Sequence, residues 1–346
     1  MLQIVFHAWE RRLASVTTDR VVRDFDWGLD WIPTNGYARD ARAGALLHQW
    51  ISDVMEDSDG FFTPPPTGDY SLSPVSADGD RLLTFPTAFP TPHDANNTVY
   101  GRYFEARTSG NTPRAAVLVL PQWNADNGGH VGLCRPLNWN GMSALRLSLP
   151  YHHQRMPPEL HRADYIVSAN VARTVQVCRQ AVLDARRAIA WLASQGYERI
   201  GILGTSLGSC LALLTTAHEP LVRAQALNHI SPYFADVVWR GLSTEHVRQG
   251  LDGHIDLEAL RTLWKPISPR WYLDRLRDRQ TLLVYAKYDL TFPVDLSEDL
   301  VREFREQNVP HELAVLRCGH YSTGKTPFKY LDGWILTRFL RKALLT

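Results

Sequence analysis

One stretch of this chain, residues 199–217, constrains the fold more than any other. An apolar run at 199–203 is followed by 204–208, which reads Gly-Thr-Ser-Leu-Gly, and then by a second apolar run at 209–214. The first run predicts a buried strand and the second a buried helix, with Ser206 at the sharp corner between them. Such a corner holds a serine hydroxyl clear of a sheet, and this is the setting in which a serine becomes a nucleophile.

The glycines at 204 and 208 have a physical explanation. A serine in so tight a corner takes strained backbone angles, and side chains two residues before and after it would collide with the neighbouring strand and helix. A Gly-x-Ser-x-Gly string also occurs in ordinary loops, so the pattern alone is weak support for catalysis. The strand before it and the helix after it are the context that favours a catalytic corner.

Length and charge narrow the classes of partner. The 346 residues suffice for one large α/β domain with insertions or for two modest domains. Lysine and arginine total 37 against 36 aspartate and glutamate, and this net charge of +1 does not favour a polyanion. The sequence has no basic run interleaved with aromatic residues, so nucleic acid is not an expected partner.

Cysteine usage and the amino terminus bear on the compartment. Neither a zinc site nor a disulfide framework is expected, because the four cysteines are scattered without Cys-x-x-Cys spacing: Cys134, Cys178, Cys210 and Cys318. The amino terminus lacks the pattern of a secretory signal, and no apolar run approaches the ~20 residues that cross a bilayer. The sequence therefore predicts a cytoplasmic protein with no membrane span.

Beyond residue 98 the chain alternates between apolar runs and amphipathic segments. A long helix is predicted at 167–196, and strands are predicted at 99–104, 115–120, 144–149, 199–203, 224–230, 281–286 and 312–316. This alternation predicts an α/β fold with a mainly parallel twisted sheet and helices on both faces, because parallel neighbours need crossover connections. Ligands of such a sheet bind at the carboxyl ends of its strands.

Residues 1–98 differ from the rest of the chain, being rich in tryptophan, aspartate and proline. We interpret them as an amino-terminal extension that packs on the core and contains an amphipathic helix at 38–57. Residues 99–346 are the predicted main domain. Within that domain an insertion at about 231–279, rich in aromatic residues, predicts several helices joined at prolines.

Two polar residues follow the last two predicted strands. Asp289 comes shortly after the strand at 281–286, and His320 comes shortly after the strand at 312–316. A serine hydroxyl is a poor nucleophile until a base accepts its proton, and an acid must hold that base in the correct tautomer. We therefore predict Ser206 as nucleophile, His320 as base and Asp289 as acid. No metal ion and no organic cofactor is expected.

The order serine, aspartate, histidine resembles the α/β-hydrolase fold superfamily over roughly residues 99–344. Asp289 with Pro293 resembles the Asp-x-x-x-Pro-like setting of that family's acid, and Gly319 with His320 resembles the Gly-His setting of its histidine. Within the superfamily the chain is most similar to serine esterases of the type of the bacterial acetyl-xylan esterases and dienelactone hydrolases.

The same resemblance implies an oxyanion hole made of two backbone N–H groups. Leu207, directly after the nucleophile, supplies the first. The second is expected in the loop after the strand at 115–120, where many relatives carry a His-Gly pair that this chain lacks. We place it at Trp123, with Gln122 as the alternative. The resemblance also implies that the insertion at 231–279 forms a lid, whose aromatic residues either line an acyl pocket or pack in the lid's own core.

Other polar residues near strand ends are not expected to be catalytic. Asp295 is a second candidate acid, but it is expected to cap a helix at 296–307. His152 and His153 lack carboxylates at ligand spacing and are expected to shape the pocket or lie on its rim. His229 is expected to be a partly buried histidine whose hydrogen bonds are satisfied.

The sequence favours a serine hydrolase that cleaves carboxylic esters of small molecules. Amide or peptide cleavage uses the same residues, as does acyl transfer to an acceptor other than water. A binding protein of the same fold without catalysis is the alternative of a different class, because fold alone does not establish activity. The sequence leaves the acyl chain, the alcohol and the oligomeric state open.

Overall fold

A mixed β-sheet organises the chain in a computed structural model that describes residues 2–33, 42–107 and 113–346. Its strands, in chain order, are β1 (Ser71–Leu72), β2 (Arg81–Pro86), β3 (Thr98–Phe104), β4 (Ala115–Leu120), β5 (Met142–Leu147), β6 (Arg199–Thr205), β7 (Val222–Asn228), β8 (Gln280–Ala286) and β9 (Glu312–Leu316). Their spatial order is β1-β2-β3-β5-β4-β6-β7-β8-β9. All neighbours from β5 to β9 pair in parallel, whereas β1, β2 and β3 form an antiparallel edge.

The predicted α/β class and mainly parallel sheet are confirmed, and each predicted strand overlaps an observed one. The sheet nevertheless begins upstream of the boundary placed at residue 98, because β1 and β2 belong to it. The sequence did not reveal β2 because it buries only alternate residues, Leu83 and Phe85, and ends at Pro86. A strand with one exposed face has a weaker apolar pattern than a strand that is buried on both faces.

The helices surround this sheet. In chain order they are α1 (Leu2–Ala14), α2 (Ala43–Glu56), α3 (Ser58–Phe61), α4 (Val131–Trp139), α5 (Val171–Ser194), α6 (Leu207–His218), α7 (Phe234–Arg240), α8 (Glu245–Leu251), α9 (Leu257–Leu263), α10 (Val294–Glu306), α11 (His320–Thr323) and α12 (Phe328–Leu345). Short 3₁₀ segments lie at Leu29–Trp31, Asp94–Asn97, His153–Arg155, Lys265–Ile267 and Pro269–Leu276. The helix predicted at 38–57 is α2, and its positions 38–41 lie outside the described residues.

Two apolar cores, one on each face of the sheet, position the site. Every residue of β4 and β5 is buried, as expected for central strands covered on both faces. One core joins the sheet to α5, α6 and the amino-terminal helices α2 and α3, and the other joins it to α4 and α12. Each fully buried large apolar side chain contributes roughly 1.5–3 kcal/mol to folding. The carboxyl ends of the parallel strands are thereby held as one rigid edge.

The four cysteines are buried and free. Burial raises the pKa of the Cys134 thiol to about 12, so this group stays protonated at neutral pH. None of the helices in the described ranges combines the length and the apolar character that are needed to cross a bilayer.

Candidate active site

Ser206 occupies the corner between β6 and α6. Its backbone has φ 57° and ψ −120°, a conformation that residues other than glycine rarely adopt. The Ser206 N–H donates to the carbonyl oxygen of Asn228 at 2.8 Å, so the end of β7 holds the strained corner in place. Backbone strain of this kind persists where the surrounding structure enforces it, and it clusters at functional sites.

Gly204 and Gly208 allow the strand and the helix to approach each other. A Cβ atom at 204 would lie 2.1 Å from the carbonyl oxygen of Gly208, and a Cβ atom at 208 would lie 2.2 Å from the carbonyl oxygen of Leu120. Both are clashes with backbone, which no change of rotamer relieves. The predicted reason for a glycine on each side of Ser206 is confirmed.

Asp289 and His320 come together at the ends of β8 and β9. His320 Nδ1 donates to Asp289 Oδ2 at 2.9 Å. The backbone N–H groups of Thr291 and Phe292 donate to the other carboxylate oxygen, Oδ1, at 2.8 and 2.7 Å. The Phe292 ring stacks on the imidazole of His320, with centroids 5.4 Å apart and planes 4° from parallel. The carboxylate and the imidazole are therefore both fixed in orientation.

Ser206 and His320 line the same cavity, while their side chains are not hydrogen-bonded to each other. Within the described ranges Ser206 Oγ has no hydrogen-bond partner. Catalytic hydrogen bonds are often long in unliganded enzymes and shorten when substrate binds. The structure thus brings the three predicted residues to one rim, with the Asp289 to His320 hydrogen bond already made.

Burial and charge act in opposite directions on the titratable members of this cluster. Burial lowers the pKa of His320, but the charge and the hydrogen bond of Asp289 outweigh it and leave that pKa above its usual value. Burial raises the pKa of Asp289, yet the charge of His320 and the hydrogen bond from His229 bring it below its usual value. Asp289 is therefore ionised at neutral pH and would stabilise a positively charged His320 imidazolium.

A second imidazole, that of His229, shares Asp289 with His320. His229 Nδ1 donates to the same Oδ2 at 3.0 Å, and the two ring centroids are 4.6 Å apart. His229 is 1% exposed, and its Nε2 has no hydrogen-bond partner among the described residues. Burial lowers the pKa of His229, so the ring donates to the carboxylate while remaining neutral.

The sequence-based interpretation of His229, a partly buried histidine with satisfied hydrogen bonds, is wrong. β7 ends at Asn228, and the next residue has φ 58°. The His229 N–H donates to the carbonyl oxygen of Val284 in β8 at 2.8 Å. The side chain therefore extends toward Asp289, the predicted acid, which follows β8. This contact depends on one backbone torsion that no residue pattern reports.

The same three side chains also have a spacing that suits a metal ion. Ligand atoms of His229, Asp289 and His320 all lie within 4.8 Å of one another. Both imidazole Nδ1 atoms, however, lie at ordinary hydrogen-bond distances from one carboxylate oxygen, 3.0 and 2.9 Å. A metal-bound site would lose its metal to a chelator, whereas a hydrogen-bonded cluster would be unaffected, so chelation distinguishes the two arrangements.

The predicted oxyanion donors lie on either side of a close backbone contact. Leu207 begins α6, and its N–H has no acceptor in the described part of the chain, as is usual at a helix start. The N–H groups of Gln122 and Trp123, in the loop after β4, are likewise without acceptors there. Gly208 packs on Leu120 at the start of this loop, which brings the two segments together. Trp123 remains our prediction for the second donor.

His152 supports this loop from behind. Its Nδ1 donates to the carbonyl oxygen of Pro150, and its Nε2 accepts the N–H of Asn124, both at 2.9 Å. Burial lowers the pKa of His152 to about 3, so the ring is neutral and this tautomer is fixed. The expectation that His152 shapes the pocket agrees with this contact, because Asn124 lines the cavity while the His152 ring itself does not. His153 instead contacts the Arg146 guanidinium at 3.2 Å.

Asp295, the alternative acid, does not reach the histidines. It is exposed in the first turn of α10 and forms an ion pair with Arg240 at 2.8 Å. The predicted capping role is also wrong, because Pro293 occupies the N-cap position and no side chain caps this helix. Asp289 is the carboxylate that contacts His320.

The amino-terminal extension contributes a buried carboxylate to the histidine loop. Glu10 in α1 is 0% exposed and accepts the backbone N–H groups of Tyr321 and Ser322 at 2.8 and 2.9 Å. A Cβ atom at 319 would lie 2.3 Å from the Glu10 side chain, so Gly319 makes room for it. The first turn of α11, which starts at His320, is thus held by a residue more than three hundred positions earlier in the chain.

We expect the substitution Glu10→Gln to lower kcat as well as the free energy of unfolding. The amide oxygen can accept one of the two N–H groups, but the amide nitrogen faces the other. A buried unpaired donor costs about 1–3 kcal/mol. If this displaces His320, kcat for p-nitrophenyl acetate falls about tenfold or more. Arg12→Gln, at an exposed position of the same helix, is the matched control. A lower Tm with unchanged kcat would mean that α1 contributes to stability alone.

A cavity of about 640 Å³ lies over Ser206. The insertion between β7 and β8 covers one side of it with Tyr233, Phe234 and Val238, among others. Four other aromatic residues of the insertion do not line the cavity: Trp239, Trp264, Trp271 and Tyr272. Two of them, Trp264 and Tyr272, are fully buried and pack in the larger apolar core. Of the two alternatives for the insertion's aromatic residues, these two therefore serve packing.

Comparison with known proteins identifies the fold of the chain. No family model matches the chain, and no curated protein matches it. An acetyl xylan esterase from Paenibacillus sp. R4 matches with a TM-score of 0.61 and 16% identity, over 91% of this chain and 98% of that one. Acetyl xylan esterase 1 from Thermoanaerobacterium sp. JW/SL YS485 matches with a TM-score of 0.58 and 14% identity, over 91% and 99%. The chain has the α/β-hydrolase fold.

A peptidase shares the same α/β-hydrolase architecture. The acylaminoacyl peptidase of Pyrococcus horikoshii matches with a TM-score of 0.59 and 12% identity over 82% of this chain. The match spans only 51% of that peptidase's length. The resemblance expected from the sequence is confirmed at the level of fold. Esterases and a peptidase both use this fold, so the substrate must be argued from the site.

Proposed function

We propose that this chain is a serine hydrolase that cleaves carboxylic esters of small molecules through an acyl-enzyme on Ser206. The observation that carries the proposal is the convergence on one cavity of a strained serine corner and a hydrogen-bonded His320–Asp289 pair. A structural corner has no need of a buried, ionised carboxylate that orients an imidazole beside a serine. Such a combination is instead what nucleophilic catalysis requires.

Each group has a defined part in the proposed reaction. Ser206 Oγ bonds to the acyl carbon while His320 Nε2 takes the hydroxyl proton. The oxyanion that forms accepts hydrogen bonds from the backbone N–H groups of Leu207 and Trp123. The bond to the alcohol then breaks, and the alcohol leaves with the proton from His320. A water molecule then attacks the acyl carbon while His320 accepts its proton. The carboxylic acid leaves, and the proton returns from His320 to Ser206. Asp289 stays ionised throughout and keeps His320 in the tautomer that accepts at Nε2.

An ester substrate is proposed ahead of a peptide on the basis of chain organisation. The chain matches the two acetyl xylan esterases over nearly their whole length, and it matches only about half of the acylaminoacyl peptidase. We further propose that the helical insertion at 231–279 serves as a lid, since residues of α7 line the cavity over Ser206.

Active-site labelling tests the proposal. The purified chain is treated with a fluorophosphonate probe, digested and mapped by mass spectrometry, in parallel with p-nitrophenyl acetate turnover. We expect stoichiometric labelling at Ser206 and a matching loss of turnover, because only an activated serine attacks the phosphorus centre. Ser243→Ala is the matched control, since Ser243 lines the same cavity but lies outside the corner; this variant should be labelled as the wild type is.

A chelator arm separates the hydrogen-bonded triad from a metal site. Dialysis against EDTA should leave labelling and turnover unchanged if His229, Asp289 and His320 are joined only by hydrogen bonds. Loss of turnover on dialysis with recovery on adding zinc would contradict the proposal. So would turnover that persists after Ser206 is fully labelled.

A further inference from the structure

One side of the cavity is apolar and the other is polar, and the two sides correspond to the two faces of the sheet. Val167, Cys210, Phe234 and Val238 line it and belong to the apolar core on the α5 and α6 face. A second group, polar and buried, lines it near α12: Thr205, Asn228 and Asp332. Leu203 and Ala226, two residues earlier in β6 and β7, belong to the core under α12. Because side chains alternate along a strand, Thr205 and Asn228 face α12 as well.

These three polar residues leave hydrogen-bonding capacity unused. Asp332 Oδ2 accepts the amide N–H of Asn228 at 2.9 Å. Asp332 Oδ1, Asn228 Oδ1 and Thr205 Oγ1 are buried and have no partner among the described residues. The side chains are 6%, 1% and 8% exposed. Buried polar atoms without partners are rare and costly, and the three residues that carry them line the cavity beside the proposed nucleophile.

The unused atoms are of one chemical kind. A carboxylate oxygen and an amide oxygen only accept hydrogen bonds, and a hydroxyl oxygen accepts as well as donates. Burial raises the pKa of Asp332 to about 7, and the hydrogen bond from Asn228 offsets this only in part. The carboxylate forms no ion pair within the described ranges. When Asp332 is ionised, the group therefore has an excess of acceptors and lacks a positive charge.

We propose that Asp332, Asn228 and Thr205 form a subsite that binds a primary ammonium group of the substrate. The proposal rests on the hydrolase function proposed above and names a substrate class for it, esters that carry an ammonium group close to the scissile carbonyl. Closeness follows from the chain, because Thr205 directly precedes Ser206.

An ammonium group satisfies these atoms better than other donors do. It carries three N–H donors and a positive charge, which correspond to three acceptor oxygens and one carboxylate. A substrate hydroxyl brings one donor and adds another acceptor, and it leaves the carboxylate without a counter-charge. A calcium ion takes six to eight oxygen ligands, more than the three unused oxygens here. Ammonium is therefore the ligand that the cluster favours.

Binding of small probes tests the subsite without requiring turnover. Isothermal titration calorimetry compares n-butylammonium chloride with 1-butanol, which have equal chain lengths and differ in the terminal group. We expect the wild-type chain to bind n-butylammonium at least about tenfold more tightly, a charge-assisted preference. Asp332→Asn should abolish that preference, and Asp295→Asn, at an exposed aspartate, should retain it. The preference should grow from pH 6 to pH 8, because Asp332 gains its charge over that range.

A second variant keeps the test decisive if Asp332→Asn does not fold. Thr205→Val removes one acceptor with little change of shape and should reduce the preference severalfold. Equal or tighter binding of 1-butanol by the wild type would indicate a hydroxyl subsite and overturn the proposal. So would a preference that survives in both variants, or no binding of either probe, which would indicate a water-filled pocket. Because turnover is not measured, these outcomes are independent of whether Ser206 proves catalytic.

Discussion

Replacing Ser206 with alanine is expected to reduce kcat/KM for p-nitrophenyl acetate by roughly 10⁵- to 10⁶-fold, the size of loss that follows removal of an activated nucleophile. The reason lies in the arrangement of charge around the corner. Asp289 is ionised and hydrogen-bonded to His320, which lines the same cavity as Ser206 and is the proposed base for its hydroxyl. Without the hydroxyl, the pair has no nucleophile to activate, and only the binding and oxyanion contributions remain.

The Ser206→Ala experiment needs a control for the cavity itself. Ser243→Ala changes a serine that lines the same cavity, and it should retain nearly full activity. Circular dichroism and Tm establish that both variants are folded. Comparable activity in Ser206→Ala and the wild type would refute the proposed mechanism, and an equal loss in both variants would mean that the cavity surface, not the corner, is what matters.

Replacing Asp289 with asparagine is expected to lower kcat by about 10⁴-fold, because it favours the wrong tautomer of His320. The structure explains why this should occur here. Oδ1 accepts two backbone N–H groups, from Thr291 and Phe292, so the amide oxygen of the substituted side chain must take that place. The amide NH₂ then faces the two imidazoles and donates to Nδ1 of His320. That ring must carry its proton at Nε2, where it cannot accept the serine proton.

The pH profile of the same variant is a second readout. In the wild type the pKa of His320 is raised, and catalysis needs the neutral ring. Activity is therefore lost as pH falls through that raised pKa. Loss of the carboxylate removes the raising interaction while the lowering effect of burial stays, so the acid limb should move to lower pH. Asp295→Asn, at the exposed alternative acid, should change neither kcat nor the limb. An unmoved limb in Asp289→Asn would contradict the assignment of the acid.

Much of the fold could be read from residue patterns because the central strands are buried on both faces. The segment at 115–120 is an uninterrupted apolar run, and β4 has those bounds with every residue buried. Strand β2, the second strand from the edge of the sheet, was missed because only Leu83 and Phe85 are buried. Helix α1 was missed as well. It packs through Glu10, which is buried, whereas a glutamate in a helix normally indicates an exposed face.

The site divides in the same way between local and distant information. Ser206 could be recognised because its constraints, two glycines, a strand and a helix, are local in the chain. Asp289 and His320 could be recognised because each directly follows a strand whose end must lie at the same edge. The second imidazole on the acid, from His229, depends instead on a torsion of 58° at the end of β7.

The sequence by itself determined the α/β architecture and indicated Ser206, Asp289 and His320 as the proposed triad, because strand burial and corner geometry are recorded in neighbouring residues. Only the tertiary structure decided that Glu10 holds the histidine loop, that His229 shares the acid and that Asp332 leaves an acceptor unused beside Ser206. These are contacts between residues far apart in the chain. They depend on how helices pack on the sheet and on individual side-chain directions, and neither leaves a periodic signal in the sequence.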